Sequence, residues 1–175
     1  MWAFVRDVTD RKMAEEALKE SHSTLLTVLD GIDATIYVAD METYKILFAN
    51  KYMKSVFGRD LVGGTCWELF RGQSQPCSHC TNAQLVDSEG RPTGGCVWEG
   101  KNPISDRWYI NYDRAIKWVD GRLVRLQVAM DITGRKEAEL ALKREKGYLD
   151  ALHETALGLV SRLEAEELLE AIVEK

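Results

Sequence analysis

The chain has 175 residues, 45% hydrophobic and 29% charged, which suffices for one compact domain with flanking segments but not for a multidomain enzyme. Its 23 basic and 28 acidic residues give a formal net charge of −5, which argues against nucleic acid as the main partner. No apolar run approaches the roughly 20 residues that span a bilayer, and charged residues interrupt the first ten positions, unlike a signal peptide. We therefore expect a cytoplasmic protein with no membrane segment in this chain, whose four cysteines are reduced thiols, metal ligands or redox groups rather than structural disulfides.

An internal repeat organises the chain. Residues 7–19 align with residues 131–143 at an offset of 124, and nine of the thirteen positions are identical. The second copy continues as a heptad pattern, whose predicted seam is Ala138, Leu142, Glu145, Leu149, Leu152, Ala156, Leu159 and Leu163. The first copy keeps the same register at Ala14, Leu18, Ser21, Leu25 and Val28. Both copies are predicted to be linker helices that pair with a partner helix in a homodimer, the alternative being amphipathic helices that lie on their own domain.

Strand signals fill the segment between the two repeats. The predicted strands cover residues 35–39, 45–49, 96–101, 107–118 and 122–132. Asn50 is suited to cap a short helix that ends at Gly58, and further short helical turns are expected at residues 66–70 and 81–86.

The last two strands permit a prediction of their register. A three-residue loop that ends at Gly121 in a left-handed conformation pairs Ile110 with Met130, Tyr112 with Val128, Arg114 with Leu126 and Ile116 with Val124. This register collects the apolar residues on one face, which we expect to be buried, whereas a two-residue loop would mix polar and apolar residues. Arg114 is the only charge on that face and needs a carboxylate, a ligand or a position at the rim of the sheet.

Five segments are the most specific parts of this layout: Tyr37-Val38-Ala39-Asp40, Ile46-Leu47-Phe48-Ala49-Asn50, the segment from Arg107 to Ile116, the Val119-Asp120-Gly121-Arg122 turn, and Asp131-Ile132-Thr133-Gly134-Arg135-Lys136. Together with the order of the predicted elements, they resemble a PAS sensory domain. The resemblance covers Asp30 to about Lys143. It implies an α+β fold, with a five-stranded antiparallel sheet that carries short helices on one face, encloses a pocket, and is flanked by N- and C-terminal coiled-coil helices.

The same resemblance divides the chain into segments. Residues 1–12 are similar to the tail of a preceding PAS module, 13–33 to a linker helix, 34–133 to the PAS domain, 134–156 to a signalling linker helix, and 157–175 to the start of a GAF-like domain. The chain would then be part of a longer signalling protein, either a sensor histidine kinase or a diguanylate cyclase, whose output domain lies elsewhere in the parent chain. We find no nucleophile with a base, no phosphate loop and no acidic cluster for magnesium, so we expect no enzyme activity in this chain.

Six side chains are candidates to line the pocket: Trp67, Phe70, Trp98, Trp108, Tyr112 and Arg114. Core packing is the alternative role for the aromatic residues, and a salt bridge at the rim is the alternative for Arg114, which would otherwise suit a carboxylate. Among the ligands of the family, the sequence disfavours flavin because the Asn-Cys-Arg-Phe-Leu-Gln run of flavin photosensors is absent. It disfavours haem because no histidine falls in a strand or helix expected to line the pocket.

The four cysteines suggest a second kind of site. Cys77 and Cys80 have the spacing that lets two thiolates bind one metal ion or form a redox disulfide, and Cys66 and Cys96 lie ten and fifteen residues away. They could hold zinc or an iron–sulfur cluster, sense redox state, or act as small reduced hydrophobic residues. A scaffold that only dimerises, with an empty pocket, is the third interpretation.

Three residues at the end of the last strand are predicted to couple the domain to the outgoing helix. Thr133 can cap this helix, and Asp131 can pair with Arg135 in its first turn. The resemblance implies that this joint transmits strain from the pocket to the coiled coil. The alternative is a simple helix cap, although the triplet and the basic pair recur in the first repeat.

Overall fold

The computed structural model describes residues 9–173. They divide into two units, one that runs to Ile132 and one that begins at Thr133. Residues 1–8 of the predicted PAS tail lie outside the described residues, while residues 9–12 belong to the first helix.

The first unit is built on one antiparallel sheet. Its strands are β1 (Thr35–Asp40), β2 (Ile46–Ala49), β3 (Cys96–Lys101), β4 (Trp108–Lys117) and β5 (Leu123–Asp131). They lie in the order β2-β1-β5-β4-β3. The helices of this unit are α1 (Thr9–Asp30), α2 (Lys51–Phe57), α3 (Cys66–Arg71) and a 3₁₀ turn at Asn82–Gln84. The predicted α+β fold with five antiparallel strands is confirmed.

The register of β4 and β5 is also as predicted. Ile110 lies opposite Met130 and Ile116 lies opposite Val124. Gly121 has φ 90, and its backbone N–H donates to the carbonyl of Trp118 at 2.9 Å. A glycine is suited to this position because a Cβ atom disfavours positive φ.

The prediction of which face is buried was wrong in part. The face that carries Asn111, Asp113, Arg125 and Gln127 is buried beneath the short helices, although it contains the polar residues. On the opposite face Val124 is buried, but Tyr112, Arg114 and Met130 are exposed. The polar face is tolerated inside because its side chains bond to one another, as described below.

A compact core joins the sheet to the short helices. It contains Tyr37 and Ile46 from the strands, Met53 from α2, and Phe70 from α3. Phe70 lies between two rings, with its centroid 5.0 Å from those of both Tyr37 and Phe57. Leu61, which is 0% exposed, closes this core from the connection between the two helices. The helices are thereby fixed over one half of the sheet.

The second unit is a single helix, α4 (Thr133–Val173), of 41 residues. It continues without a break through the predicted boundary between residues 156 and 157, so the assignment of residues 157–175 to a GAF-like domain stays a prediction. Four of its predicted seam leucines are exposed: Leu142, Leu149, Leu152 and Leu159. Over residues 9–173, no helix combines the length and the apolar character that crossing a membrane requires.

Candidate functional site

A cavity lies between the sheet and the short helices. Counted out to its open mouth, and including the solvent space there, it measures about 780 Å³. Aromatic rings make up much of its wall: Tyr37, Tyr44, Phe57, Trp67, Phe70, Trp98 and Tyr109. The strands supply a polar floor through Asn111, Arg125 and Gln127. A cavity with apolar walls and a few placed polar groups is suited to hold and orient a small ligand.

Arg125 is the buried centre of this floor. Its side chain is 6% exposed, and one Nη atom donates to the hydroxyl of Tyr37 at 2.7 Å while the other donates to Oδ1 of Asn82 at 3.1 Å. The guanidinium also lies over the Tyr37 ring, 5.6 Å from its centroid. Burial raises the pKa of Tyr37 well above its usual range, although the charge of Arg125 opposes this rise. Tyr37 is therefore a neutral partner of Arg125.

Asp113 forms a second polar centre beside the cavity. Its Oδ2 accepts hydrogen bonds from the hydroxyl of Thr81 and from the indole N–H of Trp98, both at 2.7 Å. Asp113 is 3% exposed. These two bonds fix the Trp98 side chain and the loop that carries Thr81 against β4. Next along the floor, Gln127 donates from Nε2 to Oδ1 of Asn111 at 2.9 Å.

Three of the four cysteines meet at the cavity. Cys66, Cys77 and Cys80 line it, whereas Cys96 does not. Nη atoms of Arg125 approach the sulfur of Cys66 at 3.3 Å and that of Cys80 at 3.6 Å. Burial raises the pKa of the Cys66 thiol and of the Cys77 thiol, despite the nearby arginine charges. These two thiols are therefore protonated at neutral pH, and all four cysteines are free.

The cysteines do not form a metal centre in the described arrangement. Within residues 9–173, no group of three or more histidine, cysteine or acidic side chains is placed to hold a metal ion. His79 also lines the cavity, from a loop, although we expected no histidine in the strands or helices there. Its ring packs edge-on against Trp98 at 5.9 Å between centroids, and burial lowers the pKa of His79, with a smaller contribution from Arg71.

The structure separates the six predicted pocket residues into two groups. Trp67, Phe70 and Trp98 line the cavity. The other three, Trp108, Tyr112 and Arg114, do not line it, because their positions alternate along β4 with those of the cavity-facing Tyr109 and Asn111. The expectation that Arg114 faces a ligand in this pocket is thus corrected. The arginine that lines the cavity from the sheet is Arg125, on the neighbouring strand.

Sequence reasoning missed the polar floor altogether. The predicted register leaves Asn111, Arg125 and Gln127 on the face opposite the one expected to be buried. One signal could have identified them: all three fall on the same face of two adjacent strands once the register is known.

The predicted coupling residues lie at the boundary between the two units. Oδ2 of Asp131 accepts a hydrogen bond from Arg107 at 2.8 Å within the first unit. In the second unit, Arg135 forms an ion pair with Glu139 at 3.7 Å, and α4 begins at Thr133 itself. The pairing of Asp131 with Arg135 and the role of Thr133 as a cap stay predictions.

Comparisons with known proteins agree with the fold of the first unit. Residues 23–89 match the family model described as "PAS domain". No curated protein matches the sequence.

Two solved structures are similar over most of this chain. The PAS domain of an HTR-like protein from Haloarcula marismortui has 20% sequence identity and a TM-score of 0.54, and the match covers 69% of this chain and 99% of that one. An RNA-binding light-oxygen-voltage receptor has 16% identity and a TM-score of 0.53, over 71% of this chain and 37% of the receptor chain. At these identities the likeness concerns the fold. The sheet and short helices of this chain therefore have the fold of a PAS domain, and the family model matches residues 23–89.

Proposed function

We propose that this chain is the sensory and dimerisation module of a longer cytoplasmic signalling protein and that it binds a small molecule in the cavity. The observation that carries the proposal is the cavity itself, with its aromatic wall and the buried polar floor formed by Asn111, Arg125 and Gln127. These side chains bond to one another and to their neighbours, but Nε of Arg125 is buried without a hydrogen-bond partner, and such an atom costs stability. A ligand that accepts from it would offset that cost and would shift the equilibrium between two arrangements of the sheet.

Mass spectrometry of the purified chain tests whether the cavity retains a small molecule. We expect the native mass to exceed the mass of the denatured chain by that of one small molecule. Ala129 lines the cavity and is 8% exposed, so Ala129→Leu should fill the space and abolish the extra mass. Val97→Leu is the matched control, because Val97 is 59% exposed. Equal native and denatured masses for the unmodified chain would argue against ligand binding.

The same experiment tests a second candidate, a thiol redox sensor. The observation that favours it is that Cys66, Cys77 and Cys80 share one cavity and that Cys80 and Cys77 are joined by a backbone hydrogen bond of 3.0 Å in a tight turn. A disulfide would lower the denatured mass by two hydrogens. The raised pKa values of Cys66 and Cys77 weigh against rapid oxidation, because the thiolate is the reactive form.

We further propose that the signal leaves through β5 into α4 and that the output is a histidine kinase, with a diguanylate cyclase as the alternative. Catalysis would then belong to the output domain and not to this chain. Incubation of the parent protein with ATP and with GTP distinguishes the two outputs, since a kinase phosphorylates its own histidine and a cyclase forms a cyclic dinucleotide. Loss of stimulus-dependent output in an Asp131→Ala parent would support the route through β5.

The proposed helix pairing gives a direct prediction. Leu142 is 68% exposed and Leu149 is 56% exposed within the predicted seam. If the seam pairs two chains, aspartate at both positions places charges in an apolar interface and should convert a dimer into a monomer in sedimentation at micromolar concentration. Leu140→Asp is the control, because Leu140 is 52% exposed but lies outside the seam. A monomeric unmodified chain, or equal dissociation by the control, would contradict the helix-pair interface.

A further inference from the structure

The charged side chains that line the cavity all carry positive charge. Two arginines, Arg71 and Arg125, line the cavity, and no aspartate or glutamate is among the described residues that do so. Within residues 9–173, neither Arg71 nor Arg125 forms an ion pair with a carboxylate. A ligand that enters this cavity therefore meets two positively charged lining side chains and no carboxylate among the described lining residues.

The partners of Arg125 are all neutral. Tyr37, Asn82 and the two sulfurs accept its Nη hydrogens. The Cys66 thiol is no counter-ion, because burial raises its pKa. Asp113, the buried carboxylate beside the cavity, uses its Oδ2 for Thr81 and Trp98 instead. A buried cation without an anion in contact is costly.

The unsatisfied side-chain atoms of the described lining residues are hydrogen-bond donors, whereas Oδ1 of Asp113, which lies beside the cavity but does not line it, is a buried acceptor without a partner. Among the lining residues that the structure describes, two buried side-chain atoms lack a hydrogen-bond partner: Nε1 of Trp67 and Nε of Arg125. Both carry a hydrogen and neither can accept one. The group that would satisfy them is an acceptor.

Arg71 extends the positive region toward the aromatic wall. Its guanidinium lies over the ring of Trp98, 5.7 Å from the centroid. Arg71, Arg125 and Cys77 line the same cavity. Burial raises the pKa of Cys77, and the charges of both arginines oppose that rise.

We propose that the cavity binds a small aromatic carboxylate, whose charge is held by Arg71 and Arg125 and whose ring packs against the aromatic wall. This inference rests on the proposed function of the cavity as a ligand site and names the chemical class of its ligand. The carboxylate would compete with the two sulfurs for Arg125. It is the stronger acceptor, since charge-assisted bonds to arginine are roughly twice as strong as neutral ones, and the sulfur contacts are long, at 3.3 and 3.6 Å.

The test is a calorimetric titration of the full chain with 2-naphthoate and with its neutral isostere, 2-naphthamide. We expect naphthoate to bind about tenfold or more tightly than the amide, because the amide cannot form the charged pair. Arg71→Gln should lower the affinity for naphthoate about tenfold while leaving that for the amide unchanged. Arg114→Gln is the matched control, since Arg114 is exposed on the opposite face of the sheet, and it should alter neither affinity.

Arg125→Met should weaken naphthoate binding further, provided that its circular dichroism spectrum matches that of the unmodified chain. Arg71→Gln keeps the test valid if Arg125→Met does not fold, because Arg71 is only half-buried at the end of α3. Equal affinities for naphthoate and naphthamide, or an equal loss of both in Arg71→Gln, would overturn the assignment of an anion while leaving the cavity as a ligand site. Binding of neither probe would overturn the anion assignment and would also count against the proposed function.

Discussion

Replacement of Asn50 by alanine is expected to lower the free energy of unfolding by about 3–5 kcal/mol, because it removes several buried hydrogen bonds at once. Asn50 is 1% exposed. Its Oδ1 accepts from the backbone N–H groups of Met53 at 3.0 Å and Ile36 at 3.1 Å. Its Nδ2 donates to the carbonyls of Leu29 at 3.1 Å and Ala34 at 3.0 Å. One side chain thus joins the end of α1, the start of β1 and the start of α2.

The expected cost exceeds that of an ordinary helix cap. Loss of a cap alone costs about 1 kcal/mol, whereas alanine at this site also leaves buried N–H and C=O groups without partners, at about 1–3 kcal/mol each. Urea denaturation followed by circular dichroism would measure the change.

Thr65→Ala provides the matched control for Asn50. Thr65 is the N-cap of α3, but its side chain makes no capping bond and bonds instead to the exposed Glu68 at 2.9 Å. We expect this change to cost less than about 1 kcal/mol. A cost for Asn50→Ala no larger than that for Thr65→Ala would show that Asn50 does not connect the three elements.

The sequence alone was sufficient for the local geometry. Gly121 marks a turn that requires positive φ, and the alternation in the flanking strands then permits one register that collects the apolar residues. The Asn50 cap and the left-handed Gly58 that bound α2 were predicted for the same reason, since each depends on residues within a few positions.

The choice of the cavity face could not be made from alternation. Alternation identifies side chains that suit a dry core, but the buried face of this sheet encloses a cavity and carries Arg125 and Asp113. Their burial depends on partners far along the chain: Tyr37 is 88 positions from Arg125, and Thr81 is 32 positions from Asp113. Sites that bind ligands are where a sequence is expected to break the pattern of its fold.

The convergence of the cysteines was hidden in the same way. Their spacing indicated that Cys77 and Cys80 act as a pair, but it gave no path for the loop between α3 and β3. In the structure, the sulfur atoms of Cys66 and Cys80 both contact the guanidinium of Arg125. Arg125 is 59 positions from Cys66 and 45 positions from Cys80 in the sequence. Only the folded sheet shows that thiols and a buried cation share one cavity.

Gly95→Ala is expected to lower the free energy of unfolding by about 2–3 kcal/mol, since alanine is strained at positive φ and would also collide with the backbone. Gly95 has φ +94, and a Cβ atom there would lie 2.8 Å from the carbonyl oxygen of Asp113. A flexible side chain could move aside, but a strand carbonyl can move only with β4. Because β4 carries Asp113, the indole bond to Trp98 should also weaken, and the tryptophan fluorescence of the folded variant should shift.

The adjacent glycine is the control for this argument. A Cβ atom at Gly94 would meet no atom within 4 Å, and its φ lies outside the positive range. Gly94→Ala should leave the stability unchanged or raise it by about 0.4–1 kcal/mol through the unfolded state. If urea midpoints and fluorescence were the same for both variants, the close approach of Gly95 to the carbonyl of Asp113 would constrain neither the stability of the fold nor the position of Trp98.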